Sequence, residues 1–242
     1  MNENMAKRGL GDNARWGTIL ALGMLVLIWR IIIPTNVEIT TATVVLTAGL
    51  DLALTAAVVF LARKELKEVF ARKFALKDVL KTIAFFAVSY IVMMVFGVLL
   101  LVLTADGVTL GGFMANAQDP AWLESIMANA PVPPSEWVAE QYAAVFPLGV
   151  VISMVICAPV WEEIAFRMAG RNLLKNPVLY VAASSCLFAF IHTVNFSIAE
   201  NSTFLVFGAI YAVGYLILKD VRILMITHCV NNIIAVSGLL LA

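Results

Sequence analysis

The 242-residue chain is 62% hydrophobic and only 13% charged, with a mean hydropathy of +0.95. That composition excludes a soluble globular domain of this size and predicts an all-α, polytopic transmembrane helix bundle. Sixteen basic residues balance sixteen acidic ones, so no global basic excess points to a polyanionic partner.

Residues Met1 to Arg15 are polar and mildly basic. The apolar run after them is too long for the core of a signal peptide and lacks a small-residue cleavage site, so it is expected to stay attached. About seven runs are long enough to span, at roughly 20 residues per crossing. They cover 16–34, 39–62, 80–104, 142–166, 178–197, 202–218 and 222–242. Between the second and third runs, Arg63, Lys64, Lys67, Arg72, Lys73, Lys77 and Lys81 form a basic link. It reads as a solvated helix extension beside the membrane, not as a nucleic-acid patch. The link 105–140 carries Asp106, Asp119, Glu124, Glu136 and Glu140 and no base. Basic links alternate to one side, which predicts the N-terminus inside and the C-terminus outside. N-terminal spans with these two links (1–140) precede a second helix bundle (141–242).

Within the first part, Arg30 and Asp51 lie inside spans, where they are expected either to pair as a structural clamp or to snorkel. Asp119-Pro120 is a helix cap followed by proline at the first helical position, so a short surface helix is expected around Trp122. Cys157, Cys186 and Cys229 all fall in apolar runs and read as small packing residues, not as a disulfide framework.

The fourth run ends in Trp161-Glu162-Glu163-Ile164-Ala165-Phe166-Arg167. A charge at the bilayer centre costs ~2.5–3.5 kcal/mol on insertion scales, so three together call for an explanation. Glu163 and Arg167 share a helical face and can pair, while Glu162 is turned roughly 100° from Glu163. Alternatively, all three sit in the headgroup region.

Both histidines of the protein, His192 and His228, also fall inside apolar runs. Phe188 precedes His192 by one turn, and Asn232 follows His228 by one turn. Glu162 stands 14 residues before Asn176 and His192 stands 15 after Pro177, so an antiparallel hairpin turning at Asn176-Pro177 sets them level. Pro159 removes a backbone donor one turn before Glu162 and is expected to free the carbonyl of Val155. Small residues, Ala182 to Ser185 on one helix and Gly208, Ala209, Ala212 and Gly214 on the next, predict close approach. A cavity lined by Glu162, His192, His228 and Asn232 can activate water, with Glu or His as base and His and Asn as oxyanion donors.

These residues fall into E-E-x-x-x-R (Glu162, Glu163, Arg167), F-x-x-x-H (Phe188, His192) and H-x-x-x-N (His228, Asn232) on three successive helices. Over about residues 143–242 the chain therefore resembles the CAAX protease and bacteriocin-processing (CPBP, or Abi) family of intramembrane proteases. The resemblance implies an endopeptidase in which Glu162 and His192 activate the attacking water. His228 and Asn232 would stabilise the oxyanion, and Glu163 with Arg167 would hold the helix and tune Glu162. It further implies a multi-pass protein of a bacterial plasma membrane. Membrane lipids would surround it, a membrane-associated peptide or protein would enter the bundle, and the site would open to the cytoplasmic side.

Two other readings stay open. A zinc-dependent protease would use Glu162, His192 and His228 as ligands, a legitimate catalytic set. No local H-E-x-x-H supports it, and Asn232 suits an oxyanion better than a metal, so no cofactor is favoured. The other is a non-catalytic bacteriocin-immunity or scaffold protein that retains the fold, which would tolerate loss of Glu162.

Overall fold

The computed structural model describes residues 10–36, 38–104, 109–116, 118–127, 134–192 and 198–241. Every regular element among them is a helix. The helices are α1 (Leu10–Asn36), α2 (Thr41–Ala71), α3 (Leu76–Thr104), the short α4 (Leu110–Asn116) and α5 (Pro120–Met127), and α6 (Pro134–Val145). They continue with α7 (Pro147–Leu173), α8 (Pro177–Ile191), α9 (Ile198–Leu218) and α10 (Val221–Leu241).

Among the described residues, five helices are long and apolar enough to cross a membrane: α2, α3, α7, α9 and α10. They match five of the seven expected runs. The run at 16–34 lies within α1, and the run at 178–197 is represented by α8, a shorter apolar helix of 15 residues. The expected run 142–166 needs correction at both ends. Proline at the first position of α7, after a non-helical Phe146, breaks the chain from α6, and α7 then continues to Leu173.

Local chemistry explains several of the ends. Thr40 and Thr43 cap α2 reciprocally, each side-chain oxygen accepting from the other's backbone N–H. Asp78 reaches back to accept from the backbone N–H of Ala75 at 3.0 Å and fixes the start of α3. Asp119 accepts from Ala121 N–H at 3.0 Å, so α5 begins where its cap and proline predict. Asn176 accepts from the N–H groups of both Val178 and Leu179, which starts α8 at the expected hairpin turn.

α7 is the central element. In its most apolar window 61% of residues are buried, against 6% for α3 and at most 33% for the other three spans. Trp16, Ile19 and Val26 of α1 and Leu54, Val58 and Ala62 of α2 pack with Trp161, Ile164, Ala165 and Phe166 of α7 and Leu224 of α10 in one core. A Cβ on Gly23 would meet the Ala165 side chain at 3.0 Å, so α1 lies directly on the site-bearing turn. Arg15 clamps α1 to α2 by donating to Glu65 Oε2 at 2.8 Å and to the Leu61 carbonyl at 2.9 Å. Asp51 is fully buried on α2, and the Arg30 side chain expected to meet it lies outside the described residues.

Candidate functional site

α7 is not a uniform α-helix. It contains two π-helical stretches, Val151–Cys157 and Glu163–Ala169, separated by five α-helical residues. The N–H of Ala158 accordingly bonds to the carbonyl of Ser153, five residues back. Pro159, the next residue, cannot donate, and continued at this five-residue spacing its missing bond falls to Met154, where an α register puts it at Val155. The carbonyl of Met154 is instead satisfied from α10, by Asn232 Nδ2 at 2.7 Å. π-Helical turns are frequent at functional sites, because they re-aim the side chains that follow.

The second stretch delivers Glu163 and Arg167. Glu162, Glu163 and Arg167 are all 0% exposed, so none of them touches solvent or lipid headgroups. Arg167 Nε lies 3.3 Å from Glu163 Oε2, the expected pair. The guanidinium lies over the Phe188 ring at 4.7 Å and near the Tyr211 ring at 5.8 Å, so Arg167 belongs to the interior. Glu163 does more than hold Arg167. Its Oε1 lies 2.9 Å from His228 Nδ1.

Glu162 faces both histidines. Its Oε1 is 3.9 Å from His192 Nε2 and its Oε2 is 3.9 Å from His228 Nε2. Each ring is oriented by what its other nitrogen touches. His192 Nδ1 lies 2.8 Å from the Phe188 carbonyl, which can only accept, so Nδ1 carries hydrogen and Nε2 of the neutral ring has a lone pair toward Glu162. His192 is not inside a helix, as its apolar surroundings suggested, but caps the end of α8 and satisfies one of that helix's last carbonyls. His228 is 2% exposed, one helical turn before Asn232.

Around these polar groups stands an aromatic wall. The His192 ring lies between Phe188 at 4.4 Å and Phe204 at 4.6 Å, and His228 has Phe207 at 5.3 Å and Tyr211 at 5.5 Å. Phe188 is the residue expected from the motif. Phe204, Phe207 and Tyr211 of α9 are not legible in any motif. Their spacing matches one helical face, but so would a lipid-facing stripe. Close approach of α8 and α9 is as expected at Gly208, where a Cβ would meet the Ser185 Cα at 2.9 Å. Gly214 serves a different contact, because its Cβ would run into the Phe85 ring of α3 at 2.5 Å.

The structure thus gathers Glu162, Glu163, Arg167, Phe188, His192 and His228, with Asn232 one turn away and one of its amide hydrogens engaged by Met154. As placed, no three His, Cys, Asp or Glu side chains among the described residues form a group that could hold a metal ion. What the cluster offers is a buried carboxylate between two imidazoles, in surroundings where each charge acts strongly.

Comparison with known proteins points to the same segment. Residues 144–234 match the family model described as Rce1-like, type II CAAX prenyl endopeptidase. The resemblance carried by the three motifs therefore holds over the stretch that builds the site. A curated relative, UPF0177 protein YaiH of Lactococcus lactis subsp. lactis (strain IL1403), is 34% identical over 103 residues, or 39% of this chain and 42% of that protein. The chain thus spans about two fifths of the length of the curated relative it matches. No solved structure matches.

Proposed function

We propose that the protein is an intramembrane endopeptidase of the CAAX type, which hydrolyses a peptide bond in a membrane-associated peptide or protein without a metal. The observation that carries this reading is the Glu162 carboxylate, buried and 3.9 Å from each of two imidazole nitrogens whose rings are fixed from behind. A separation of 3.9 Å is too long for a direct hydrogen bond and suits a bridging water.

In this mechanism a water between Glu162 and His192 is the nucleophile. His192 Nε2 accepts one of its hydrogens and orients it, and Glu162 removes the proton as oxygen attacks the scissile carbonyl. The carbonyl π electrons move onto oxygen, and the resulting oxyanion is met by donors from α10. When the C–N bond breaks, Glu162 returns its proton to the leaving nitrogen. His228 is the first of these donors, its ring held from behind at Nδ1 by Glu163. Asn232 keeps a second amide hydrogen for the same purpose.

The family description supports a prenylated C-terminal peptide as the first substrate class to try. The basic link 63–81 supports an orientation with that end of the bundle, and the entrance to the site, on the cytoplasmic side. The test is a comparison of peptides in membranes expressing the native chain or Glu162→Gln, with purified protein then assayed on a farnesylated and an unmodified copy of one peptide. Products that need both Glu162 and His192 are expected. Identical peptide profiles from the native chain, Glu162→Gln and His192→Ala would instead support the non-catalytic reading.

One observation favours the zinc reading: both Nδ1 atoms are engaged and both Nε2 atoms face Glu162, as second-shell partners of metal ligands would arrange them. Metal content and chelation decide between the two. Turnover surviving exhaustive chelation, at well under one equivalent of bound zinc, is expected. Loss on chelation with recovery on zinc return would overturn the metal-free mechanism.

A further inference from the structure

At the end of the bundle where α2 gives way to α3 and α9 to α10, a groove of about 290 Å3 is lined by Arg72, Lys73, Lys77, Lys81, Lys219 and Arg222, against two acids, Asp78 and Asp220. Both acids are already engaged. Asp220 accepts from Arg222 Nε at 3.0 Å and from its terminal nitrogen at 2.7 Å, and Arg72 stands 3.7 Å away. Asp78 caps α3 and lies 3.8 Å from Lys81. Lys73, Lys77 and Lys219 have no ion-pair partner among the described residues.

Lys219 is held at φ 54°, the single non-glycine residue in the left-handed region among those described. Its N–H closes α9 on the Tyr215 carbonyl at 3.0 Å, a terminal role for which glycine is the unstrained choice. The position carries an ammonium nonetheless, in a groove that holds six cations against two acids. The helices that lead into the groove also expose apolar side chains. Leu76, Leu80 and Ile83 of α3 and Ile217 of α9 are 74%, 58%, 60% and 72% exposed. A soluble anion would use the cations alone. An amphiphile with a phosphate head and acyl chains matches both halves.

We infer that this groove is a binding site for the phosphate headgroup of an anionic membrane lipid, held by Lys73, Lys77 and Lys219, with its chains along α3 and α9. The site is separate from the Glu162 cluster and does not depend on the reaction proposed there.

The full-length protein, reconstituted with equal phosphatidylglycerol and phosphatidylcholine and re-extracted in neutral detergent, tests this through the lipids that co-purify. About ten-fold enrichment of phosphatidylglycerol is expected, given the attraction each basic residue adds. It should fall to under about two-fold in Lys73→Gln/Lys77→Gln/Lys219→Gly and persist in Arg63→Gln/Lys64→Gln/Lys67→Gln, which removes equal charge from the exposed end of α2. No enrichment in the native protein, full enrichment in the first variant, or equal loss in the second would each overturn the assignment. Displacement of the lipid by inorganic phosphate at constant ionic strength would reassign the groove to a free anion. Should the triple variant not fold, Lys219→Gly alone, which the backbone accommodates, must lower enrichment about three-fold or the proposal fails.

Discussion

Glu163 holds two partners from one buried carboxylate: His228 Nδ1 lies 2.9 Å from Oε1, and Arg167 Nε lies 3.3 Å from Oε2. One contact crosses to α10 and the other stays on α7, so Glu163 couples the tautomer of a histidine to the fold of the helix beside it. Replacement by Gln keeps the shape and one hydrogen-bond acceptor but removes the charge. Turnover in Glu163→Gln is expected to drop by about 10–100-fold, the usual scale for a residue that orients a functional histidine. An unchanged rate would make Glu163 purely structural.

Arg167→Ala leaves Glu163 buried and less compensated, and should cost about 3–5 kcal/mol in stability. The pair Glu163→Gln/Arg167→Gln is expected to recover part of that loss in thermal unfolding and none of the turnover. Recovery of turnover along with stability would contradict the link from Glu163 to His228.

Asn232 and Pro159 are predicted to be energetically coupled through the Met154 carbonyl. Asn232→Ala strands that carbonyl and should cost about 1–3 kcal/mol. In a Pro159→Ala background the helix regains its own N–H, and the same change should cost much less. A double-mutant cycle reads this directly, and additive effects would rule it out. If Asn232 also meets the oxyanion, Pro159→Ala will rescue the stability of Asn232→Ala and leave its turnover low.

Much of this arrangement was legible in the sequence, and the exceptions share a cause. Apolar runs and the Asn176-Pro177 turn located the helices, because length, capping and proline act locally. Spacing placed Glu162 level with His192, and the pair does meet. The i,i+4 rule paired Glu163 with Arg167, but it could not show Glu163 reaching His228 or Arg167 buried beneath Phe188. That geometry depends on π turns, which leave no compositional mark. Nor could spacing show that Asn232 would reach the Met154 carbonyl, five residues before Pro159. Phe204, Phe207 and Tyr211 went unnoticed because aromatic residues on one face of an apolar helix look alike whether they meet lipid or a histidine.

Burial alone would push the Asp220 carboxyl up, but hydrogen bonds from the Arg222 side chain and backbone, with the charges of Arg222 and Arg72, outweigh it and hold it below the usual carboxylate range. A carboxyl depressed in the folded state contributes stability that is present above its ordinary pKa and lost as pH falls through the folded value. Asp220→Asn should therefore be less stable than the native chain at neutral pH. The gap should narrow as the pH is taken below about 4. A gap that stays constant with pH would show that the Arg222 contact is not ionic.

Orientation has its own measurement. Single cysteines at Lys73 and Glu124 should label from opposite sides of the membrane, Lys73 from the cytoplasm. Labelling of the Glu124 position from the cytoplasm would invert the topology and move the entrance of the site with it.

The two π stretches of α7 also set what kind of genetic change this helix can absorb. A hydrogen bond closed five residues back encloses one residue more than one closed four back, so each stretch amounts to a stored insertion. Deleting a single residue between Glu163 and Ala169 would let the turn relax to ordinary α geometry and keep a continuous, apolar, spanning helix. The residues beyond it would keep close to their present face, because the wide turn has already absorbed the extra residue, whereas the same deletion in a uniform α-helix would turn them by about 100°. Such a one-codon deletion should insert in the membrane and accumulate normally, and change only how the side chains within the turn, Glu163 and Arg167 among them, are aimed. Reading-frame-preserving indels in this stretch are thus a sharper probe of the site than most side-chain replacements.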